Sequence, residues 1–483
     1  MTAVAELADG DAIADPVRRA RYLLSESARH IDPPTRAKEL RTLGRGDLAL
    51  RVLEGCTKNE FVGVERSLAR EALGLECKPP APPKGLRVAA ARIFAGALLF
   101  VVRLLTGWRR VEFTAMGKFT RLADLVDRLD PLLRQMKARD ARGDTRLTVF
   151  FFGGYPNTKM MSLYREHCLF LMCTGRLTRK LGNMTVSALR LAGRLTETTT
   201  DYRKINRAFL DYPAVIVFKA ADGSALDAEI RQAGIDPQRP IVVFGLRDMA
   251  YYRFYGDVMK IPLTKQGRRA ETHHRCPQLA SYLPFTRYWA ERGYQVVRMG
   301  LRVSEALPPA HPNIIDYANG PRTDDLDAWL FSSCRFMLAG DTGLFSGAAA
   351  FDRPSVLSDL FLIRNTMYSS NKVTRNIFVP KLMFDTREQR LLTFRELIYF
   401  NHHFSFAEDC EAEGFRILHN DAEDILAATI ELEDRLTGRH VESAQDRELQ
   451  AAYHSIYPPN HIGYGSTALI SAAFLRKHAD LLD

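Results

Sequence analysis

The segment Cys334–Phe351, CRFMLAGDTGLFSGAAAF, is the stretch that decides the fold class. Its apolar run Phe336–Ala339 predicts a buried strand, the turn Gly340–Gly343 follows, and the small residues of Phe345–Phe351 predict a helix start. A strand, a tight glycine turn and a helix in this order can hold a phosphate, because free N–H groups of the turn and the helix dipole both face the anion. We therefore expect an α/β unit with an anion site at this turn.

Short apolar runs alternate with helical stretches on both sides of Pro240. Strands are predicted at Leu147–Phe152, Ala214–Phe218, Ile241–Gly245, Tyr294–Met299, Asn313–Asp316 and Pro354–Leu357. Helices are predicted at Ser162–Cys173, Val186–Leu195, Pro277–Arg292, Leu326–Ser333 and Ala422–Leu436. Strands that alternate with helices indicate parallel sheets with right-handed crossovers, so the two blocks predict two Rossmann-like domains with a ligand in the cleft between them.

The chain before these blocks has a different pattern. Periodic apolar residues up to residue 74 predict helices, and the proline-rich segment Lys78–Lys84 predicts a stiff linker. The fold class is therefore α/β, with two Rossmann-like domains preceded by an α-helical N-terminal region. The predicted segments are a helical region 1–78, a linker with an apolar, basic helix 79–144, Rossmann-like domains 145–239 and 240–440, and a helical tail 441–483 packing back on the first Rossmann-like domain.

Composition narrows the class of protein. The 483 residues, 46% hydrophobic and 26% charged, are typical of a soluble globular protein with several domains. The net charge of +10 fits an anionic ligand or a membrane surface, and dispersed surface arginines account for it equally well. No nucleic-acid-binding motif is present, so no nucleic-acid partner is expected. Seven scattered cysteines and an acidic N-terminus without an apolar run predict a cytoplasmic protein with reduced thiols and no structural zinc.

The segment Leu86–Trp108 is both apolar and basic. Its uninterrupted apolar part, Ile93–Val102, is shorter than the about 20 residues that a membrane-spanning helix needs. Two alternatives remain, a helix that lies in the interface of a membrane surface and a buried core helix. Peripheral attachment to the inner membrane is therefore left open.

Three places in the second block are candidates for ligand binding. Arg247 follows a predicted strand, at the sheet edge where parallel sheets bind ligands, and a guanidinium suits a phosphate or a carboxylate. The alternative is a structural pair with Asp248 or Asp257. His274 and Arg275 precede a predicted helix, where they can bind an anion or move a proton, unless they lie in an exposed turn without a role.

The turn itself contributes Asp341, Thr342, Gly343 and Leu344. Its glycines permit close approach of the backbone, and the Thr342 hydroxyl can bind phosphate oxygens. The absence of a P-loop and of GxGxxG in the sequence removes the usual support for a kinase or a dinucleotide oxidoreductase.

The first block offers a Gly153-Gly154 pair and Asn157 after its first predicted strand, facing the cleft. Glu166 and His167 are candidates for a general base, and an ordinary turn with a solvated charged run is the alternative. The acidic run Asp324–Asp327 contains the DxD pattern of some metal-dependent sugar transferases. It stands at a predicted helix start, where acidic residues serve as caps, so no metal site is predicted there.

The block from Val242 to Asp359 resembles a family of bacterial glycosyltransferases of the two-Rossmann-domain GT-B type, encoded in surface-polysaccharide gene clusters. The resemblance lies in VVFGLRD, HHR, SYLPFTRYWAERGYQVVRMG, NIIDYA, DDLDAWLFSSCRFMLAGDTGL and RPSVLSD, and with lower specificity in later segments. It covers about half of the chain and does not reach the N-terminal region. Gly245 departs from the family pattern, in which a histidine stands at this position.

The resemblance implies transfer of a sugar from a nucleotide-diphosphate donor to a glycan, lipid-linked or protein acceptor. The C-terminal half would hold the donor, with Arg247 and the turn Asp341–Leu344 on the diphosphate, and with His274 and Arg275 lining the cleft. Glu166 or His167 would be the base on the acceptor side. No metal or other cofactor is expected, because cationic side chains can stabilise the leaving diphosphate. The alternatives are a sugar-nucleotide epimerase or hydrolase of the same fold and a non-catalytic scaffold.

Overall fold

The computed structural model describes Val52 and residues 85–117, 121–140, 143–154, 157–199, 202–219, 224–251, 253–254, 275–360, 376–399, 407–412, 414–457, 464 and 467–482. Apart from Val52, the predicted N-terminal helical region lies outside the described residues. His274 also lies outside them.

The first sheet has three parallel strands, β1 (Arg110–Met116), β2 (Thr145–Phe151) and β3 (Cys168–Met172), with β2 in the middle. The helices of this part of the chain are α1 (Leu86–Leu105), α2 (Leu122–Arg139), α3 (Thr158–Arg165), α4 (Arg176–Leu191), α5 (Tyr202–Asp211) and α6 (Ser224–Gln232). β1 lies in the segment predicted as linker and helix, so the sheet begins earlier than expected.

Two further predictions for this part of the chain are wrong. The predicted helix Ser162–Cys173 is the end of α3 followed by β3, since the short apolar run CLFLM fits either type of element and sheet pairing decides for a strand. The predicted strand Ala214–Phe218 is irregular. Its backbone bonds to side chains instead of a neighbouring strand, with Ala214 N–H donating to Asp352 at 2.7 Å and Lys137 donating to Val215 O at 3.4 Å.

The helix α1 is not a buried core helix. One stripe, formed by Val88, Ala91, Ala95 and Val102, is buried, and Ala95 and Val102 pack against the first sheet, but most of the large apolar side chains of the helix are exposed. Among the described residues it is the one helix long and apolar enough to cross a membrane, with a mean hydropathy of 2.1 in its most apolar window.

The second sheet is built from parallel strands β4 (Ile241–Leu246), β5 (Gln295–Met299), β6 (Ile314–Ile315), β7 (Phe336–Gly340), β8 (Ser355–Leu360) and β9 (Ile377–Pro380). Their spatial order is β9-β8-β7-β4-β5-β6. The chain starts in the middle at β4, moves out to β6 and returns to β7 on the other side of β4. The strand order therefore reverses between β4 and β7, as in Rossmann folds.

Near-continuous apolar runs form the central strands, because both faces of the sheet are covered. Val242–Phe244 of β4 and Phe336–Ala339 of β7 are fully buried. The covering helices include α7 (Leu283–Glu291), α8 (Asp324–Ser333) and α9 (Phe345–Ala350). The predicted helices around Pro277–Arg292 and Leu326–Ser333 are confirmed within a few residues, although the first begins with a 3₁₀ turn at Leu279–Tyr282.

A small antiparallel sheet follows the large one, with β10 (Leu382–Asp385), β11 (Arg390–Leu391) and β12 (Phe415–Leu418). The helices of this C-terminal part are α10 (Phe394–Tyr399), α11 (Ala407–Ala412), α12 (Ala422–Leu436) and α13 (Ala444–Ser455). The prediction of a helix at Ala422–Leu436 is confirmed at both ends.

The C-terminal tail extends the second sheet and not the first, which corrects the prediction. Its strand β13 (Leu469–Ile470) pairs in parallel with β9. In α14 (Ala472–Lys477), the N–H of Ala472 donates to Glu431 at 2.7 Å, and Lys477 bonds Asp421 at 2.8 Å and Asp424 at 2.9 Å. The open edge of β9 and the carboxylates of α12 therefore hold the tail.

A buried arginine joins the two sheet units. Arg134 of α2 is 1% exposed and pairs with Asp130 on its own helix. It also donates to Asp352 at 2.8 Å, to Tyr212 O at 2.8 Å and to Ala349 O at 3.2 Å, at the end of α9. Both Nη groups thus have a partner across the contact, and α2 is fixed against α9.

Candidate active site

The site lies at the carboxyl ends of β4 and β7, where the order of the strands reverses. Arg247 directly follows β4 and Asp341 directly follows β7, and the sheet register pairs Leu246 with Gly340 just before them. In open parallel sheets this reversal leaves a crevice in which ligands bind. The two places that the sequence predicted to act together are therefore adjacent.

Asp341 holds both arginines. The Nε of Arg247 donates to the carbonyl oxygen of Asp341 at 2.6 Å. Arg275 binds its carboxylate with two hydrogen bonds, from Nε to Oδ2 and from Nη2 to Oδ1, each at 2.6 Å. Burial would raise the pKa of Asp341, but Arg275 and then Arg247 hold it below its ordinary value. The carboxylate stays ionised and orients Arg275, while the backbone carbonyl of the same residue orients Arg247.

Arg247 keeps its positive charge at this edge of the sheet. Burial and the neighbouring Arg275 lower the pKa of Arg247 to about 10, so it still carries its charge at neutral pH. Arg121, the N-terminal capping residue of α2, is close enough to lower the same pKa further. Arg121 and Arg275 thus both lie near Arg247, and such a group of arginines favours an anionic ligand.

The turn after Asp341 leaves backbone donors unused. Asp341 has a φ of 38°, in the left-handed region, and turns the chain out of β7. Within the described residues, no hydrogen bond uses the N–H groups of Thr342 or Gly343. The helix α9 that follows has only six residues, so it sums few peptide dipoles and contributes less than the sequence predicted.

The turn also meets the first sheet unit. A Cβ placed on Gly343 would lie 2.8 Å from the Cβ of Ala123 in the first turn of α2. Only glycine allows this close approach of the turn to the helix. The N-terminal end of α2 therefore packs directly against the turn.

The side chain of Leu344 occupies the space next to Gly245 at the end of β4. A Cβ placed on Gly245 would lie 2.5 Å from Cδ1 of Leu344. The departure from the family pattern at Gly245 thus has a physical counterpart, since Leu344 occupies the room of a side chain there.

Asp124 is a further candidate that the sequence analysis did not single out. It lies in the first turn of α2, next to Ala123, and is partly buried. Burial raises its pKa, against the opposing effect of Arg121 and Arg128. A carboxylate with a raised pKa at the wall of a cleft is a candidate for proton transfer. Its position could be inferred only once β1 was known to precede α2.

Glu166 and His167 lie at the wrong edge of the first sheet, which corrects the prediction for the base. They immediately precede β3, and the register pairs Cys168 with Leu147 near the start of β2. Gly153 follows the other end of β2, so about five strand residues at about 3.3 Å each separate the two places. Glu166 forms an exposed ion pair with Lys219 at 3.3 Å.

Gly153 and Gly154 follow the carboxyl end of β2, as predicted, but Asn157 has a structural role. Its Oδ1 accepts from the N–H of Met160 at 2.8 Å and caps α3, and its Nδ2 donates to Asp324 O at 3.3 Å. Asp324 Oδ2 accepts from both the N–H and the hydroxyl of Thr158 at 2.7 Å. The N-terminal ends of α3 and α8 are therefore bonded together.

The acidic run at the start of α8 is engaged in the fold. Thr323 caps α8 by accepting from Leu326 N–H at 3.0 Å, while Asp324 serves the neighbouring helix α3. Asp325 pairs with Lys159 at 2.8 Å, and Asp327 accepts from Tyr317 at 3.0 Å. Within the part of the chain that the structure describes, no cluster of three or more histidines, cysteines or carboxylates could hold a metal ion.

A second buried polar cluster lies beside the crevice and was also missed. Asp359 of β8 is fully buried and accepts from Tyr282 OH at 2.8 Å and from Asn420 N–H at 3.1 Å. His419 Nδ1 lies 3.0 Å and Lys381 Nζ 4.0 Å from its Oδ1. Burial would raise the pKa of Asp359, but His419 and Lys381 hold it below its ordinary value.

Comparisons with known proteins find structural similarity only. No protein-family model matches the chain, and no curated protein matches it. Similar solved structures include Escherichia coli ADP-heptose lps heptosyltransferase II, 15% identical over 51% of this chain and 84% of that one, with a TM-score of 0.31. A glycosyl transferase family 9 protein of Veillonella parvula is 10% identical over 56% and 86%, with a TM-score of 0.31. E. coli heptosyltransferase WaaC with ADP is 11% identical over 63% and 99%, with a TM-score of 0.29. At these values the likeness establishes neither a family nor an activity for the chain.

Proposed function

We propose that the protein is a glycosyltransferase that moves a sugar from a nucleotide-diphosphate donor to an acceptor in the synthesis of bacterial surface polysaccharide or another glycoconjugate. The observation that carries the proposal is the convergence of Arg247, Arg275 and the open N–H groups of Thr342 and Gly343 at the strand-order reversal. A diphosphate fits this arrangement, because it offers two charges and several acceptor oxygens.

In the reaction, the acceptor hydroxyl attacks the anomeric carbon while the bond from that carbon to the diphosphate oxygen breaks. Arg247 and Arg275 neutralise the charge that develops on the leaving diphosphate, so the chemistry requires no metal ion. Asp124, across the crevice, takes the hydroxyl proton. In this proposal Asp124 replaces Glu166 and His167 as the base.

The proposal is tested by measuring the binding of nucleoside diphosphates and sugar nucleotides with thermal shift and titration calorimetry. A ligand of the native state raises its melting temperature. Arg247→Ala should weaken diphosphate binding roughly 10- to 100-fold, since a hydrogen bond to a charged group contributes about 1.5–3 kcal/mol. Arg239→Ala is the matched control, because Arg239 precedes the opposite end of β4 and bonds Asn313.

Unchanged affinity in Arg247→Ala would remove the assignment of the diphosphate site. Consumption of the donor without any acceptor would instead indicate an epimerase or a hydrolase. If no nucleoside diphosphate shifts the melting temperature, the fold serves as a non-catalytic scaffold.

A further inference from the structure

The outer side of α1 carries a row of large exposed apolar side chains. Ile93, Phe100 and Leu104 recur at helical spacing on one stripe, with 76%, 54% and 57% of their surface exposed. The opposite stripe, which includes Ala95 and Val102, is the one that packs on the first sheet. Ordinary surface helices are polar on the side away from the core, so this helix is unusual in a water-soluble setting.

The neighbouring helix α4 repeats the pattern. Leu177, Leu181 and Met184 are spaced by four and three residues and are exposed, while Val186 and Leu189 on the other side are buried. The helices α1 and α4 lie side by side, and both pack on the same face of the first sheet, against Phe113 and Phe150.

Both apolar stripes therefore face away from the sheet on the same side. They form one surface, the α1–α4 face, consisting of Ile93, Phe100, Leu104, Leu177, Leu181 and Met184. A contiguous exposed apolar surface of this kind marks a binding surface.

Basic residues border the α1–α4 face, and neither helix contains an acidic residue. Arg176 and Lys180 are exposed on α4. Arg92 and Arg194 line a cavity of 190 Å³ between α1 and β1, together with apolar side chains that include Leu99. Among the described residues, neither of these two arginines forms an ion pair. An apolar surface with a basic border complements an anionic lipid headgroup layer.

We propose that the α1–α4 face docks on the surface of an anionic lipid bilayer, with both helices in the membrane plane and with Arg92 and Arg194 on lipid phosphates. The helix α1 is long enough to span a bilayer, but it packs on the sheet along one side, so spanning would strip it from its core contacts. Trp108, 64% exposed and in edge-to-face contact with Phe100, lies at the end of α1, where an aromatic ring suits the headgroup level. This inference does not depend on the proposed sugar transfer.

The test is flotation of the full chain with vesicles of phosphatidylglycerol mixed with phosphatidylcholine, compared with phosphatidylcholine alone. We expect binding to the anionic vesicles and weaker binding in high salt. The double variant Leu181→Gln, Met184→Gln should bind the vesicles more weakly, by about tenfold for each of the two side chains, because a glutamine no longer enters the apolar layer. Arg92→Gln with Arg194→Gln should weaken it about fivefold for each arginine. Val441→Gln is the matched control, since Val441 is an exposed apolar residue outside the face, in the loop before α13.

Absence of binding to anionic vesicles, or equal binding by the Leu181 and Met184 variant, would overturn the proposal. A dimer in sedimentation velocity that the same variant dissociates, without vesicle binding, would make the α1–α4 face a contact between copies of the chain. Bound protein that resists both high salt and alkaline extraction would indicate a spanning helix instead.

Discussion

Gly245 and Leu344 compete for the same volume beside the crevice. A histidine at position 245 would force the Leu344 side chain aside, because the first added atom already lies 2.5 Å from its Cδ1. We expect Gly245→His to lower the free energy of unfolding by about 1–3 kcal/mol, the usual cost of overpacking. Urea unfolding measures this change in the free energy of unfolding. Adding Leu344→Ala should restore much of the loss, and a double variant as unstable as the single one would contradict the shared volume.

Asp124 is the residue on which proton transfer depends in the proposed reaction. Asp124→Asn should lower donor turnover about 10²- to 10⁴-fold with little change in nucleotide affinity, as expected for a lost general base. Glu166→Gln is the matched control and should leave turnover unchanged. Because burial raises the pKa of Asp124, wild-type activity should fall with acidification at a higher pH than for an ordinary aspartate. Equal loss in both variants would contradict this role.

The residues at strand ends were predictable, whereas their neighbours were not. Arg247 and Asp341 each directly follow an apolar strand, and parallel strands place such residues at one edge. Asp124 and the Asp359 cluster come together only through packing between distant segments. The sheet edge on which Glu166 and His167 lie was not predictable for a local reason. The strand that begins at Cys168 looks helical in sequence, so its start was not recognised.

At the scale of whole elements, α2 depends on one charged side chain. Arg134→Met would leave the carboxylates of Asp130 and Asp352 without their cation at the contact with α9. We expect the free energy of unfolding to fall by about 3–5 kcal/mol, the usual effect of breaking a buried ion pair from one side. Arg139→Met, on the same helix but exposed, should change it by less than about 0.5 kcal/mol. A small effect of Arg134→Met in urea unfolding would show that apolar packing alone joins the units.

The strands of the second sheet were easier to predict than those of the first. Strands covered on both faces, such as β4 and β7, are continuous apolar runs between turn residues. The strand β1, RVEFTAM, mixes polar and apolar residues and follows directly on the apolar helix α1, so its pattern merges with its surroundings. The two-residue strand β13 pairs far along the chain with β9, which no local pattern indicates.

Over the whole molecule, the carboxyl edge of the second sheet faces the N-terminal ends of α2 and α3. Ala123 approaches Gly343, and the α3 terminus bonds Asp324 at the start of α8. Two helix starts from the first unit thus contact the second unit near this edge, and Arg134 also joins the two units.

The stability of the protein at acid pH should depend on the two buried carboxylates at this edge of the sheet. The pKa values of Asp341 and Asp359 are both held below the ordinary value of 3.8, so their ionised forms stabilise the fold. This contribution is fully present above pH 3.8 and is lost as the pH falls through the lower folded-state values. Asp359→Asn should therefore lower the free energy of unfolding by about 1–3 kcal/mol at neutral pH, and the difference from wild type should shrink as the pH falls below 3.8. Urea unfolding across this range measures it, with Asp236→Asn, a half-exposed carboxylate, as control. A difference that stays constant with pH would mean that the Asp359 contacts act through shape and not through charge.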